Sequence, residues 1–315
     1  MNTAEPSGVR TVATVRLTLD RSKQAADYLR SAGGGVMDTL AHFWERLALT
    51  PPLSRDDLHL ILAGEVDGES AEINFINACG AMLYVPKAHR ADVLALSAAS
   101  AEAMCNYLEK WWASSQVSKQ GSIPAENIAA GIPINYVTGV AEGIATMTPR
   151  LLSMVNRKAP ARKSVNVMMT LPADRPAALC GRVRLARDGD EPVLNRWRKL
   201  YNQERGILFD ADVDAWIESR NVYVHETNGL IVALAKFDLI LPTTVEIGGV
   251  FTFPEYRKQG FGAELVNDLA CRIRQMNKTP LLQVDIENTP ALAMYQKMNW
   301  IELGLLARVW LTSAA

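Results

Sequence analysis

The sequence predicts an α+β protein built as two domains in tandem, on three observations. In the second half, apolar periodicities run in the order β-α-α-β-β-β-α-β-α-β, a mixture of strands and helices too interleaved for an all-α or all-β fold. A similar order recurs in the first half, which reads as an internal structural repeat. Between them, residues 156–182 hold a basic run and the sequence Pro172-Ala173-Asp174-Arg175-Pro176, which no continuous helix or central strand tolerates. The expected domains are 1–172 and 180–315. The 315 residues suit two ordinary domains, and 49% hydrophobic with 21% charged residues is globular composition.

In the first half, a strand over 12–17 precedes helical patterns at 24–29 and 36–47. Segments 58–62, 71–76 and 81–85 read as a strand meander, with Asp67-Gly68 as a turn. A long helix follows over 91–112. A strand at 132–137, a helix over 141–155 interrupted at Pro149, and the apolar run 165–171 complete this half.

The second half opens on a short strand, 182–187. A helix over 191–203 carries Val193, Leu194, Trp197, Leu200 and Tyr201 at helical spacing, and a shorter one over 213–220 begins after Asp210 and Asp212, either of which can cap it. Asn228-Gly229 between two alternating apolar runs, 222–225 and 230–237, is a strong hairpin signal. A strand over 245–253, a helix over 262–275, a strand over 281–286, a helix over 290–298 and a last strand over 303–311 follow.

The formal net charge of −1 gives no reason to expect nucleic-acid or membrane binding. The N-terminus lacks an apolar signal core and no run approaches about 18 apolar residues, so the expectation is a soluble, cytoplasmic protein. Cys79, Cys105, Cys180 and Cys271 are scattered without metal-ligand spacing, as are His42, His59 and His89; no metal is assigned.

The informative segment is Glu246-Ile247-Gly248-Gly249-Val250-Phe251-Thr252-Phe253-Pro254-Glu255-Tyr256-Arg257-Lys258-Gln259-Gly260-Phe261-Gly262-Ala263-Glu264. A strand runs into a tight, cationic, glycine-containing turn and straight into a helix. That arrangement is an anion site: free N–H groups and the positive end of the helix dipole face the ligand, and Gly260 and Gly262 let the backbone approach it. Arg257 and Lys258 add charge, and Gln259 can donate a hydrogen bond. The third glycine of a dinucleotide fingerprint is missing, since position 265 is Leu, and the Gly-Lys-Ser/Thr of a P-loop is absent.

With its flanking strand and helix, this segment resembles the pyrophosphate-binding motif A of the GNAT acetyltransferase superfamily, with Arg257, Gly260 and Gly262 at its three motif positions. Further on, Asn288-Thr289-Pro290-Ala291-Leu292-Ala293-Met294-Tyr295 resembles motif B. The resemblance implies an α/β/α GNAT fold with a twisted, mixed, mostly antiparallel sheet. It implies that Asn288 and Ala291 border the pantetheine arm and that Tyr295 protonates the departing thiolate. It also implies that the strand before motif A splays from the strand before motif B. Backbone groups of Val250, Phe251 and Thr252 then face the arm, and Lys258, Gln259, Phe261 and Ala263 join the phosphate loop. The implied co-substrate is acetyl-CoA.

Amine acetylation needs a neutral amine, hence a proton acceptor. Glu246 stands thirteen residues before Gln259 on the same strand, where several histone-type GNAT enzymes place a catalytic Glu. It reads equally as a solvated residue at a strand start, and His225 and Glu226 are further candidates. In the first half, the motif A position falls at 81–92, which has no Gly-x-Gly. The motif B position at 134–141 has Asn135 but no Tyr in register. That half therefore reads as a degenerate GNAT-like domain with a structural or acceptor-cleft role. The expected activity is acetyl transfer to an amine by direct attack in a ternary complex. Trp197, Tyr201, Arg205 and Trp216 favour a small-molecule acceptor over a peptide. A longer acyl-CoA and a non-catalytic acyl-CoA-binding regulator are the alternatives, and a monomer or homodimer is expected.

Overall fold

The computed structural model describes residues 11–33, 37, 41, 59–66, 73–85, 90–117, 134–175, 177–205 and 212–312. They form two compact units, one of residues 1–166 with 304–315 and one of residues 167–303. The expected helix at 36–47, the Asp67-Gly68 turn, His42, His89 and Asp210 lie wholly or mostly outside the described residues.

The first unit holds β1 (Thr11–Leu17), α1 (Ser22–Gly33), β2 (His59–Val66), β3 (Ala78–Val85), β4 (Arg90–Ala95), α2 (Ala98–Val117), β5 (Tyr136–Val140), α3 (Ala141–Met154) and the start of β6 (Arg162–Thr170). Strands β1 to β4 pair antiparallel in sequence order, and β4 pairs parallel with β5. Its core packs Ile61, Met82, Tyr84 and Val93 against Met104, Leu108, Ile144, Met147 and Leu151 of α2 and α3. Helix α3 runs unbroken through Pro149, against the expected interruption. A proline removes one backbone donor, and the burial of Ile144, Met147, Leu151 and Leu152 outweighs that loss.

Two further elements differ from the sequence reading. Residues 73–77 form no strand, and the third meander strand is β4 at Arg90–Ala95, where a helix start was expected. Ala91, Val93, Leu94 and Ala95 suit either structure by apolarity alone, and pairing with both β3 and β5 decides for the strand.

The second unit holds the end of β6, β7 (Val183–Leu185), α4 (Glu191–Arg205), α5 (Val213–Glu218), β8 (Val222–Thr227), β9 (Leu230–Ile240), β10 (Thr244–Thr252), α6 (Phe261–Gln275), β11 (Thr279–Asp285), α7 (Thr289–Lys297) and the start of β12 (Ile301–Trp310). Strands β7 to β10 pair antiparallel, and β10 pairs parallel with β11. Asn228 and Gly229 both take positive φ, at 51° and 75°, as the hairpin turn between β8 and β9 requires. Asp212 caps α5 through Asp214 N and Ala215 N, both at 3.1 Å.

The last strands of the two halves are exchanged. Leu306–Trp310 of β12 pairs antiparallel with β5, and Ala307, Val309 and Leu311 enter the first unit's core. Val167, Met169 and Leu171 of β6 and the residue after it enter the core of the second unit, where β6 neighbours β11 and Thr170 Oγ1 donates to Pro280 O at 2.8 Å. Fully burying a Val or Leu contributes about 1.5–3 kcal/mol. The alternating Val and Leu of β12 thus fix its register, since a one-residue slip would turn them to the opposite face.

In the second unit the sheet is covered on both faces. Val245, Ile247 and Phe237 pack with Leu265, Leu269 and Ile273 of α6 and with Tyr295 of α7. The opposite face packs Leu234, Phe251 and Phe253 against Leu194 and Trp197 of α4 and Val213 of α5.

Candidate active site

Parallel pairing of β10 with β11 runs only from Thr244↔Thr279 to Ile247↔Leu282, yet β10 continues to Thr252 and β11 to Asp285. The two strands therefore part after Ile247, and the gap opens toward their C-terminal ends. Against β9, the β10 register shifts between Gly248 and Phe251, so one residue is extra. This bulge resets the alternation: Val250 packs on the α6 side and Phe251 on the α4 side. Past Ile247, β10 has no ladder partner in β11, along the stretch where Val250, Phe251 and Thr252 were expected to offer backbone contacts.

Beyond β10, a single 3₁₀ turn (Pro254–Tyr256) leads to Arg257, Lys258 and Gln259, and α6 begins at Phe261. Gly260 has φ 87°, and a Cβ there would meet nothing within 4 Å. No side chain caps α6, so the N–H groups of its first turn have no acceptor within the helix and face the open side of the loop. Gly262 packs close to the strand end, where a Cβ would come 3.0 Å from Thr252 Oγ1. The glycine loop, the uncapped 15-residue helix and exposed Lys258 fit an anion such as a pyrophosphate.

Arg257 does something different from the charge donor expected. Its Nε donates to Thr252 O at 3.0 Å, one Nη donates to Glu204 Oε1 at 2.7 Å, and its guanidinium lies 5.2 Å from the Phe251 ring centroid. It ties the loop to the end of β10 and to α4. Gln259 Nε2 reaches Glu255 O at 3.5 Å, a long contact within the loop.

On the far side of the gap, Asn288 caps α7, its Oδ1 accepting from Ala291 N at 3.4 Å. Tyr295, one turn further along α7, is 4% exposed. Burial drives its hydroxyl pKa well above 10; Arg205 pulls it down and Tyr201 pushes it up, and burial wins. The phenol therefore stays protonated throughout the neutral range.

Glu246 and Gln283 lie on one face at the closed end of the gap, where Gln283 Nε2 donates to Glu246 Oε1 at 3.0 Å. Glu246 is thus half-buried and hydrogen-bonded, unlike a freely solvated strand start. Beside it stands a carboxylate that the sequence reading missed. Asp238, bulged out of β9, leans over Gly248, where a Cβ would come 2.5 Å from its Oδ2. Lys236 Nζ holds the other oxygen at 2.6 Å and stacks on Trp216 at 5.1 Å. Only the register shift places Asp238 there, and no motif announces a shift. Trp197 is also missing from the sequence-predicted set as a polar group: its Nε1–H is buried with no partner among the described residues, and its ring edge lies 3.4 Å from where a Gly249 Cβ would be. An orphaned buried donor costs about 1–3 kcal/mol.

Of the alternative bases, His225 is fully buried, with Nε2 2.8 Å from Glu264 Oε2, and Glu226 accepts from Arg184 Nε at 2.7 Å. Both are engaged on β8 rather than in the gap between β10 and β11.

The first unit repeats the topology with a different helix start. The loop corresponding to the phosphate loop is Ala95-Leu96-Ser97-Ala98, not the 81–92 segment expected, because the third strand is β4. Ser97 and Ser100 satisfy one another: Ser100 Oγ accepts from Ser97 N and Ser97 Oγ from Ser100 N, each at 3.1 Å. The strand gap is filled too. A Cβ at Gly139 would fall 1.9 Å from Val93 O, and one at Gly143 would fall 2.9 Å from Ala95 O.

Among known families, residues 228–311 match the FR47-like protein family, a span that contains β9 to β12 and both motifs. No curated protein matches the chain. Among solved structures, a GCN5-related N-acetyltransferase from Sphaerobacter thermophilus is 14% identical over 99% of this chain and 98% of its own, with a TM-score of 0.55. A tandem GNAT protein from the clavulanic acid biosynthesis pathway is 12% identical over 96% of this chain and 100% of its own, with a TM-score of 0.45. A GNAT-family acetyltransferase from Novosphingobium aromaticivorans is 17% identical over 48% of this chain, with a TM-score of 0.39; the chain spans 65% of that protein's length. No described helix is long and apolar enough to cross a membrane. The chain has the GNAT fold, two copies in tandem, and its second copy carries the FR47-like segment.

Proposed function

We propose that the second unit transfers an acyl group, most simply acetyl, from coenzyme A to the amine of a small-molecule acceptor by direct attack in a ternary complex. The carrying observation is the parting of β10 and β11 directly ahead of the uncapped start of α6, with the buried, protonated Tyr295 across the gap. When bound, acyl-CoA supplies an activated thioester, so no covalent enzyme intermediate is needed. The chain's residues do the rest. The α6 N-terminus, Gly260 and Lys258 hold the pyrophosphate, and Arg257 holds the loop in shape. Tyr295 gives its phenolic proton to the departing sulfur. Glu246 and Asp238, on the α4 face beside the bulge, provide the carboxylates that hold the amine and take its proton. Lys236, Trp216 and Tyr201 on the same face fit a compact, partly aromatic amine.

The first unit serves as scaffold: Ser97 and Ser100 engage two of the donors at its helix start, and backbone of Val93 and Ala95 fills the space beside Gly139 and Gly143. The test is calorimetric titration of the full chain with acetyl-CoA, followed by thiol release across a panel of amines. One site per chain and amine-dependent thiol release are expected. Binding without release under any amine would refute transferase activity, and two sites would refute the scaffold role.

A further inference from the structure

Cys180 in the segment before β7, His225 on β8 and Glu264 in the first turn of α6 converge: one ligand atom from each lies within 4.8 Å of the others, the one such group among the described residues. We propose that these three side chains form a zinc site, independent of the acyl-transfer reading and behind the first turn of α6. Thiolate, imidazole and carboxylate together suit Zn²⁺ far better than Mg²⁺ or Ca²⁺, which prefer all-oxygen shells. In a tetrahedral zinc site the donors stand about 3.3–3.7 Å apart, from Zn–S near 2.3 Å and Zn–N and Zn–O near 2.1 Å. The His225 Nε2–Glu264 Oε2 separation of 2.8 Å must open slightly and the longest separation, up to 4.8 Å, must close by about 1 Å. Rotation of the Cys180 and Glu264 side chains supplies both movements.

The surroundings already orient the ligands. Thr227 Oγ1 lies 3.4 Å from His225 Nδ1, the second-sphere contact that directs Nε2 to a metal, and Phe261 holds the imidazole at a ring-centroid distance of 5.1 Å. Cys180 is positioned through its backbone. Its N–H donates to Oδ2 of fully buried Asp268 at 2.9 Å, and Asp268 is fixed by Arg272, which also donates to Val183 O at 2.9 Å. Arg182, 2.6 Å from Glu264 Oε2 and 47% exposed, supplies the positive charge that zinc would replace, and it can swing into solvent. Glu264 is 36% exposed, which leaves a fourth position for water.

The experiment is zinc binding to the full chain after chelator treatment, read as bound metal per chain and as the visible spectrum of the Co²⁺ form. One zinc per chain and a thiolate-to-cobalt charge-transfer band are expected, both lost in Cys180→Ser and kept in Cys271→Ser. No retained zinc, or equal retention by Cys180→Ser, overturns the proposal. Alkylation of the unmodified chain, followed at the Cys180 peptide, covers a variant that fails to fold. Zinc should slow it by about tenfold or more and Mg²⁺ should not; an unchanged rate also overturns the site.

Discussion

Substituting Gly260 by Asp separates the fold of the phosphate loop from its ligand. The new Cβ meets no atom within 4 Å, so the only folding cost is the left-handed backbone at φ 87°, about 1–2 kcal/mol for an ordinary residue and less for Asp. A carboxylate at the start of α6 recovers about 0.3–1 kcal/mol from the helix dipole. The net change is about 1 kcal/mol or less, a melting shift of no more than about 4 °C. The ligand experiences something else. A carboxylate about 5 Å from a pyrophosphate charge at an effective dielectric of about 20 costs about 3 kcal/mol per charge, more than a hundredfold in affinity. Calorimetry with acetyl-CoA beside a thermal melt reads both quantities. A variant that melts normally and binds acetyl-CoA as the parent does would refute the placement of the anion at this helix start.

Four further outcomes follow from the geometry. Tyr295→Phe should lower turnover by about a hundredfold or more while leaving the acetyl-CoA Kd within about twofold; unchanged turnover in stopped assays removes the phenol from the reaction. Asp238→Asn should raise the acceptor KM and leave acetyl-CoA binding intact, and a loss confined to acetyl-CoA affinity would contradict its position on the α4 face. Gly139→Ala should destabilise the chain by about 3 kcal/mol or more in urea melts, because its Cβ would sit 1.9 Å from Val93 O and the parallel strands must separate. For Asp190, burial raises the pKa, but hydrogen bonds from Arg184 and from the Arg187 N–H outweigh it, so the folded carboxyl lies below its usual range. Its contribution is present above about pH 4 and is lost as pH falls through the folded value. Asp190→Asn should cost about 2–3 kcal/mol at neutral pH, and the gap to the parent should narrow below about pH 4; a gap independent of pH would refute the ion pair as its source.

What could be read from the sequence is what is local along the chain. The phosphate loop is one continuous strand–turn–helix segment, so Gly260, Phe261 and the helix behind them were legible, as were the Asn228-Gly229 hairpin and Tyr295 on its helix. What could not be read depends on pairing. Arg257 carries the charge that an anion loop needs, but whether it faces the anion depends on Glu204, fifty-three residues away, which holds it. Asp238 reaches the bulge only because β9 shifts register against β10. The exchange of β6 and β12 leaves no local trace, since both are ordinary apolar strands and only the core each enters tells them apart.

The two copies of the fold show why glycine near a helix start is weak evidence taken alone. Gly139 and Gly143 in the first unit look as suggestive as Gly260 and Gly262 in the second, since each lies near the end of a parallel strand or in the first turn of the helix after it. What separates them is what occupies the space where the side chain would be. At Gly139 and Gly143 it is the backbone of Val93 and Ala95, so the missing Cβ lets protein pack on protein. At Gly260 it is nothing. The helix starts agree: Ser97 and Ser100 close the first turn of α2 on itself, whereas α6 begins with no cap at all. The α6 start joins an uncapped helix to an unfilled glycine, whereas α3, which also lacks a side-chain cap, has the Gly143 position of its first turn packed against Ala95. The two copies thus differ at the helix start: one is closed by its own serines and the other carries no side-chain cap.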